Sequence, residues 1–132
     1  MPPTNKNKKV LIVDDDRFLS NMYSVKFKKF GFDVDTGSSG QEVLIKLKDG
    51  LVPDVILLDV VMPSMDGIEL LENIRKEKLV PNAFVIMLSN QNQQADVDRA
   101  RNLGISSYIV KASSIPSEVV SEVMKVMGMV GR

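Results

Sequence analysis

Carboxylates stand at the ends of two short apolar runs. Val10 to Val13 leads into Asp14, Asp15 and Asp16, and Val55 to Leu58 leads into Asp59. Two further runs deliver other groups: Ala83 to Leu88 ends in the hydroxyl of Ser89, and Tyr108 to Val110 ends in the ammonium of Lys111. If these four ends converge, the acids crowd one small site. Unit charges about 4 Å apart repel by roughly 4 kcal/mol at an effective dielectric of about 20, so such a cluster needs a cation or must hold a proton. A hard divalent ion fits. Magnesium takes oxygen ligands and is typically held by one or two carboxylates together with a phosphate. Ser89 can donate to a phosphoryl oxygen, and Lys111 brings a second positive charge. This inventory suits phosphoryl transfer, which asks mainly for positioning and charge neutralisation, and in which a carboxylate can accept the group as an aspartyl phosphate.

Composition narrows the alternatives. The chain has 132 residues with no cysteine and no histidine. Ser-His-Asp and Cys-His catalysis, disulfides and imidazole or thiolate metal sites are all excluded, and any metal must be held by oxygen. Seventeen basic residues balance seventeen acidic ones, so the total charge gives no footprint of nucleic-acid binding. No apolar run approaches the roughly 20 residues that span a bilayer. Residues 1–7 are polar and basic without an apolar stretch, which reads as a disordered lead-in and not as a signal peptide. A cytoplasmic location is expected.

The elements that must position these groups alternate in type. Pro53 and Pro63 bracket the Asp59 run, and short apolar runs between turn signals suit strands of a parallel sheet covered on both faces. Between them lie helical patterns. Asp16 to Phe30 carries two ridges, Phe18, Met22 and Val25 beside Leu19, Tyr23, Phe27 and Phe30, and stops at Gly31. Asp16 is the expected cap of this helix. Phe32 to Asp35 alternates apolar with acidic, so this second strand belongs at a sheet edge. Ser39 or Ser38 caps the helix Gln41 to Lys48. Ile68 to about Lys78, Gln93 to Leu103 and Pro116 to about Met127 complete the helices. Five strands alternating with five helices predict a single α/β domain, with helices on both faces of a twisted sheet and right-handed crossovers. The order 2-1-3-4-5 satisfies the edge requirement and lines up the tips of strands one, three, four and five.

With these residues in view, the chain resembles the receiver domain of bacterial two-component response regulators over roughly Lys8 to Met127. Thirty positions separate Asp59 from Ser89 and twenty-two separate Ser89 from Lys111, with DxxMP present as Asp59 to Pro63; these spacings are similar to the family's. The strand order above is informed by this resemblance. The resemblance implies a flavodoxin-like (βα)5 three-layer sandwich over residues 8–127, with 128–132 a short tail or the start of a linker. It implies Asp59 as phosphoacceptor, and Asp14, Asp15, Asp59 and the main-chain carbonyl of Val61 around magnesium or manganese. Lys111 would pair with the phosphate, and Ser89 with Tyr108 would form the switch. It also implies a sensor histidine kinase or phosphotransfer protein as donor, and an output protein or second copy meeting the last helix and strand. The domain would be a regulatory switch and not an enzyme. The apolar arc Val119, Val120, Val123, Met124, Val126 and Met127 reads either as that contact face or as core.

Two departures stand out. The family's lysine is generally followed by proline across a cis peptide, whereas Ala112 follows Lys111. The positions two beyond Asp59 and Ser89, which in this family influence hydrolysis of the phosphoryl group, are Val61 and Gln91. Val61 cannot orient a water, while Gln91 could, and slow rather than fast self-dephosphorylation is expected. A rival reading takes Asp14 to Asp16 as the DxD start of a haloacid-dehalogenase-like phosphatase; Phe18 stands where that motif wants a small residue. A second rival, a pseudo-receiver that binds protein without being phosphorylated, ordinarily lacks the acids that are intact here.

Overall fold

The computed structural model describes residues 8–89, 94–111 and 115–128. Residues 1–7, Gln91, Ala112 and the end of the tail, on which some expectations fall, lie outside this set. The elements run β1 (Lys9–Val13), α1 (Arg17–Lys29), β2 (Asp33–Gly37), α2 (Gly40–Lys48), β3 (Val55–Asp59), α3 (Gly67–Lys76), β4 (Phe84–Ser89), α4 (Gln94–Asn102), β5 (Ser107–Val110) and α5 (Pro116–Val126). All strand pairs are parallel, in the order β2-β1-β3-β4-β5. The flavodoxin-like expectation therefore holds.

Strand periodicity divides the core. Leu11, Val13, Ile56, Leu58, Val85 and Met87 point to one face and pack under α2, α3 and α4. Their alternates Val10, Ile12, Val55, Leu57, Ile86 and Leu88 point to the other, under α1 and α5. Successive strand side chains face opposite ways, so a strand covered on both sides must be apolar throughout, as β3 is. β2 lies at one edge and is the alternating strand.

Local chemistry sets the helix ends. Asp16 caps α1, accepting from the N–H groups of Phe18 at 3.0 Å and Leu19 at 3.2 Å, and Ser39 caps α2. α1 closes at Gly31, whose φ of 91° is open to glycine without a Cβ penalty. The N–H of Gly31 reaches Lys28 and that of Phe32 reaches Phe27. The Phe27 and Phe32 rings meet edge to face at 5.2 Å, the apolar contact that accompanies such an end. α3 closes with the same bond pattern, Lys78 to Arg75 and Leu79 to Ile74, but places Lys78 in the left-handed region at φ 55°.

The two ridges of α1 have different fates. Tyr23 and Phe27 are buried with Leu19 packed beside them, although Phe30 at the end of that ridge is exposed. On the other ridge Phe18 is 74% exposed and Val25 61% exposed, with Met22 half-buried. Conversely, the arc of α5 is core: Val119, Val120 and Val123 are fully buried, and Met124, Val126 and Met127 pack against them. Among the described residues, no helix is long and apolar enough to cross a membrane.

Candidate functional site

Register brings the chemistry together. Val13 pairs with Leu58, so Asp14 leaves β1 beside Asp59 of β3; Asp59 in turn pairs with Leu88, one residue before Ser89. Ser89 pairs with Val110, one residue before Lys111. All four strand ends therefore open on the carboxyl edge of the sheet, the edge at which open α/β sheets hold their ligands.

Asp14, Asp59 and Ser89 are each no more than 5% exposed. Asp14 is held twice by backbone: its N–H donates to the Gly37 carbonyl at 3.1 Å, and its Oδ1 accepts the Asp16 N–H at 2.9 Å. Asp15 is exposed beside it. One oxygen from each of Asp14, Asp15 and Asp59 lies within 4.8 Å of the others. Lys111 crosses from β5 to these acids, its Nζ 3.1 Å from Asp59 Oδ1 and 3.2 Å from Asp14 Oδ2.

Electrostatics follow from this geometry. Burial, then the neighbouring Asp14 carboxylate, pushes the Asp59 carboxyl up to about 6, with Lys111 pulling the other way. Burial opposes the charge on Lys111, yet Asp59 and Asp14 together outweigh it and raise its pKa. Three carboxylates against one ammonium leave two negative charges (3 − 1 = 2). The donor set is all oxygen, which fits a hard divalent cation.

The loop between β3 and α3 carries the Val61 carbonyl. Val61 is 66% exposed, and among the described residues nothing donates to that carbonyl. The loop is held at both ends. The Val60 N–H donates to Leu88 at 3.1 Å, the Gly67 N–H donates to the Val60 carbonyl at 2.7 Å, and Asp66 with Glu69 forms a reciprocal cap on α3. Tyr108 is half-buried, packed against the core under α3 and α4, two residues short of the position that pairs with Ser89.

Two positions carry more than their sequence pattern suggests. Tyr23, taken only as core, is 4% exposed. Burial raises its phenol pKa, Lys111 opposes this, and Asp14 and Asp59 add to it, so the ring lies in the field of the acidic site. Helical side chains lean toward the helix N-terminus, here the end nearest the acids, and that lean was the available signal. Gly67 follows Asp66 in a pair that in sequence marks only a new segment after a turn, although its surroundings are closely packed backbone.

Comparison with known proteins agrees with this arrangement. The sequence profile of the response regulator receiver domain matches residues 10–123. The alkaline phosphatase synthesis transcriptional regulatory protein PhoP of Bacillus subtilis is 35% identical over 92% of this chain and 49% of its own length. The chemotaxis protein CheY of Thermotoga maritima is 39% identical over 90% of this chain and 97% of its own length. The chain thus spans about half of PhoP and nearly all of that CheY. A CheY-like receiver domain protein from Methanospirillum hungatei superposes with a TM-score of 0.83 at 26% identity, covering 94% of this chain and 97% of that one. A chain of the CheX–CheY–BeF3–Mg complex from Borrelia burgdorferi gives 0.83 at 36% identity, covering 94% and 92%. On sequence, fold and acidic pocket together, the chain belongs to the response regulator receiver domain family.

Proposed function

We propose that this domain is a phosphorylation-activated switch of a two-component system, with Asp59 as the acceptor. The observation that carries the reading is the Lys111 ammonium standing between the Asp59 and Asp14 carboxylates, at 3.1 and 3.2 Å, with Asp15 completing an all-oxygen cluster. Asp14, Asp15, Asp59 and the Val61 carbonyl would hold magnesium or manganese, which when bound neutralises charge on the phosphoryl oxygens.

The residues of the chain divide the remaining work. An Asp59 carboxylate oxygen attacks phosphorus, the bond from phosphorus to the donor's leaving group breaks, and that group departs with the bonding electrons. Lys111, kept charged by its two acids, pairs with the transferred oxygens. Ser89 donates its hydroxyl to them and draws the end of β4 inward, and Tyr108 follows, biasing an equilibrium between two arrangements that exist beforehand. The donor is a sensor histidine kinase or a phosphotransfer protein, and the location is cytoplasmic.

Two surfaces suit partners. α1 begins beside the acids, and its exposed Phe18 and Val25 with the half-buried Met22 between them, flanked by Lys26 and Lys29, fit the donor protein, which must reach Asp59 over this end of the sheet. Output would be read at the groove of about 600 Å³ between β5 and α5, lined by Tyr108, Ser117, Ser121, Glu122 and Lys125. That face is largely polar and includes Tyr108, the ring expected to follow Ser89.

Intact mass after incubation with acetyl phosphate, with and without magnesium, tests the reading. A single magnesium-dependent phosphoryl adduct, lost in Asp59→Asn, is expected. No adduct on a folded wild-type protein would replace the switch by a pseudo-receiver that acts only through binding.

A further inference from the structure

We propose that Gly67 is a positioning residue for the acceptor: the bare Cα of position 67 forms the floor on which the Asp59 peptide rests. The inference deepens the phosphoacceptor reading of Asp59 and rests on it.

The chain leaves β3 at Asp59, runs through the Val61 carbonyl, and re-enters the fold at Gly67, the first residue of α3. Those two points meet. The Gly67 N–H donates to the Val60 carbonyl at 2.7 Å, closing the neck of the loop directly behind the acceptor. A Cβ at position 67 would collide with the carbonyl oxygen of Asp59 and would stand 2.9 Å from its carbonyl carbon and 3.1 Å from the Val60 Cα. All three are backbone atoms, and none can rotate away.

Gly67 differs from the other glycines in the reason it is needed. Its φ lies outside the positive region occupied by Gly31, Gly50, Gly104 and Gly128, so an alanine could adopt its conformation; what is missing is space. Gly37 and Gly40 are also crowded, but by side-chain atoms, the Val43 Cγ2 at 2.5 Å and the Met65 Sδ at 2.6 Å, whereas everything close to Gly67 is backbone.

The consequence falls on the relative geometry of the site. Asp14 leaves β1 and Lys111 follows β5, so neither is carried by the loop that Gly67 closes. A methyl group at 67 pushes the Asp59 peptide by about an ångström while those partners stay in place. A displacement of that size costs on the order of 100-fold in a reaction governed by positioning, and disturbing the support of a metal ligand weakens the metal about 10- to 100-fold.

The test compares wild type, Gly67→Ala and Ile74→Val, the last a destabilising control in the core away from the neck. Phosphorylation by acetyl phosphate is followed by intact mass at saturating magnesium, and magnesium affinity by the metal's effect on the thermal midpoint. A folded Gly67→Ala with at least a 10-fold lower rate at saturating magnesium and weaker magnesium binding, beside a wild-type-like Ile74→Val, supports the proposal. A folded Gly67→Ala with wild-type rate and affinity overturns it. If the variant does not fold, the Gly67 amide resonance of the wild-type protein decides. A shift that saturates with magnesium supports the coupling of neck and site, and an amide indifferent to magnesium overturns it. If wild type takes no phosphoryl group, the acceptor reading fails, and the magnesium affinities alone still judge the positioning role.

Discussion

Removing the Asp59 carboxylate should make the metal-free domain more stable. Asp59 is 5% exposed and lies near two further acids with one ammonium among them, so its folded pKa stands at about 6 against an ordinary 3.8. About two units at 1.36 kcal/mol each amount to about 3 kcal/mol. Above pH 6 the carboxyl is ionised in both folded and unfolded chains, and the whole penalty is present. Between about 6 and 3.8 the folded form takes its proton first, so stability rises as the pH falls through this window; below it the penalty is gone. Asp59→Asn removes the penalty at every pH, and Lys111 is not orphaned, because Asp14 remains 3.2 Å away. Urea unfolding followed by circular dichroism at pH 8 in EDTA should show the variant about 3 kcal/mol more stable, roughly 10 °C in thermal midpoint. Saturating magnesium should narrow the gap by stabilising wild type by RT ln(1 + [Mg]/Kd). A variant no more stable than wild type in EDTA at pH 8 would refute the reasoning. So would a difference between the two that does not shrink from pH 7 to pH 5.

Other perturbations have definite directions. Lys111→Met leaves the carboxylates without their ammonium and should cost about 3–5 kcal/mol at pH 8 without metal, a loss that shrinks in acid as Asp59 protonates; urea titrations at pH 8 and pH 5 measure both. Lys78→Gly should stabilise by about 1 kcal/mol, because Lys78 holds a left-handed φ of 55° at the end of α3 where glycine adopts it freely; a chevron or urea midpoint suffices. Phe18→Ser should move stability by less than about 0.5 kcal/mol, since the ring is 74% exposed; a larger loss would mean that the ridge packs in solution. Once phosphorylated, the protein should lose its group slowly, because Val61 cannot orient a water; a half-life of seconds in magnesium, read by mass, would contradict this.

The strands were legible because strands buried on both faces need uninterrupted apolar runs, and each run ended in a residue with chemistry. Convergence of Asp14, Asp59 and Lys111 followed from strand order, and the residues alone gave only one part of that order, the edge position of β2. Helix faces were harder. Periodicity identifies residues that share a face but says nothing about what lies opposite, so Phe18 and Val25 looked like Tyr23 and Phe27 until the sheet was in place. α5 illustrates the converse: packed on the sheet beside α1, it buries the wide arc that looked too broad for one core. Gly67 was illegible for a different reason. An Asp-Gly pair signals a turn, whereas the demand at this position comes from atoms distant along no other route than the fold, the backbone of Asp59 and Val60 behind the loop.

The exposed ridge of α1 separates two kinds of selection within one helix. Tyr23 and Phe27 must satisfy the interior, and changes there are judged by whether the chain folds. Phe18 and Val25 are largely excused from that judgement, so they can drift while the fold stays intact. With the donor docked on this ridge as proposed, a duplicated copy of the domain would change its correspondent by altering the outward stripe, keeping the acids, the lysine and the sheet beneath them unchanged.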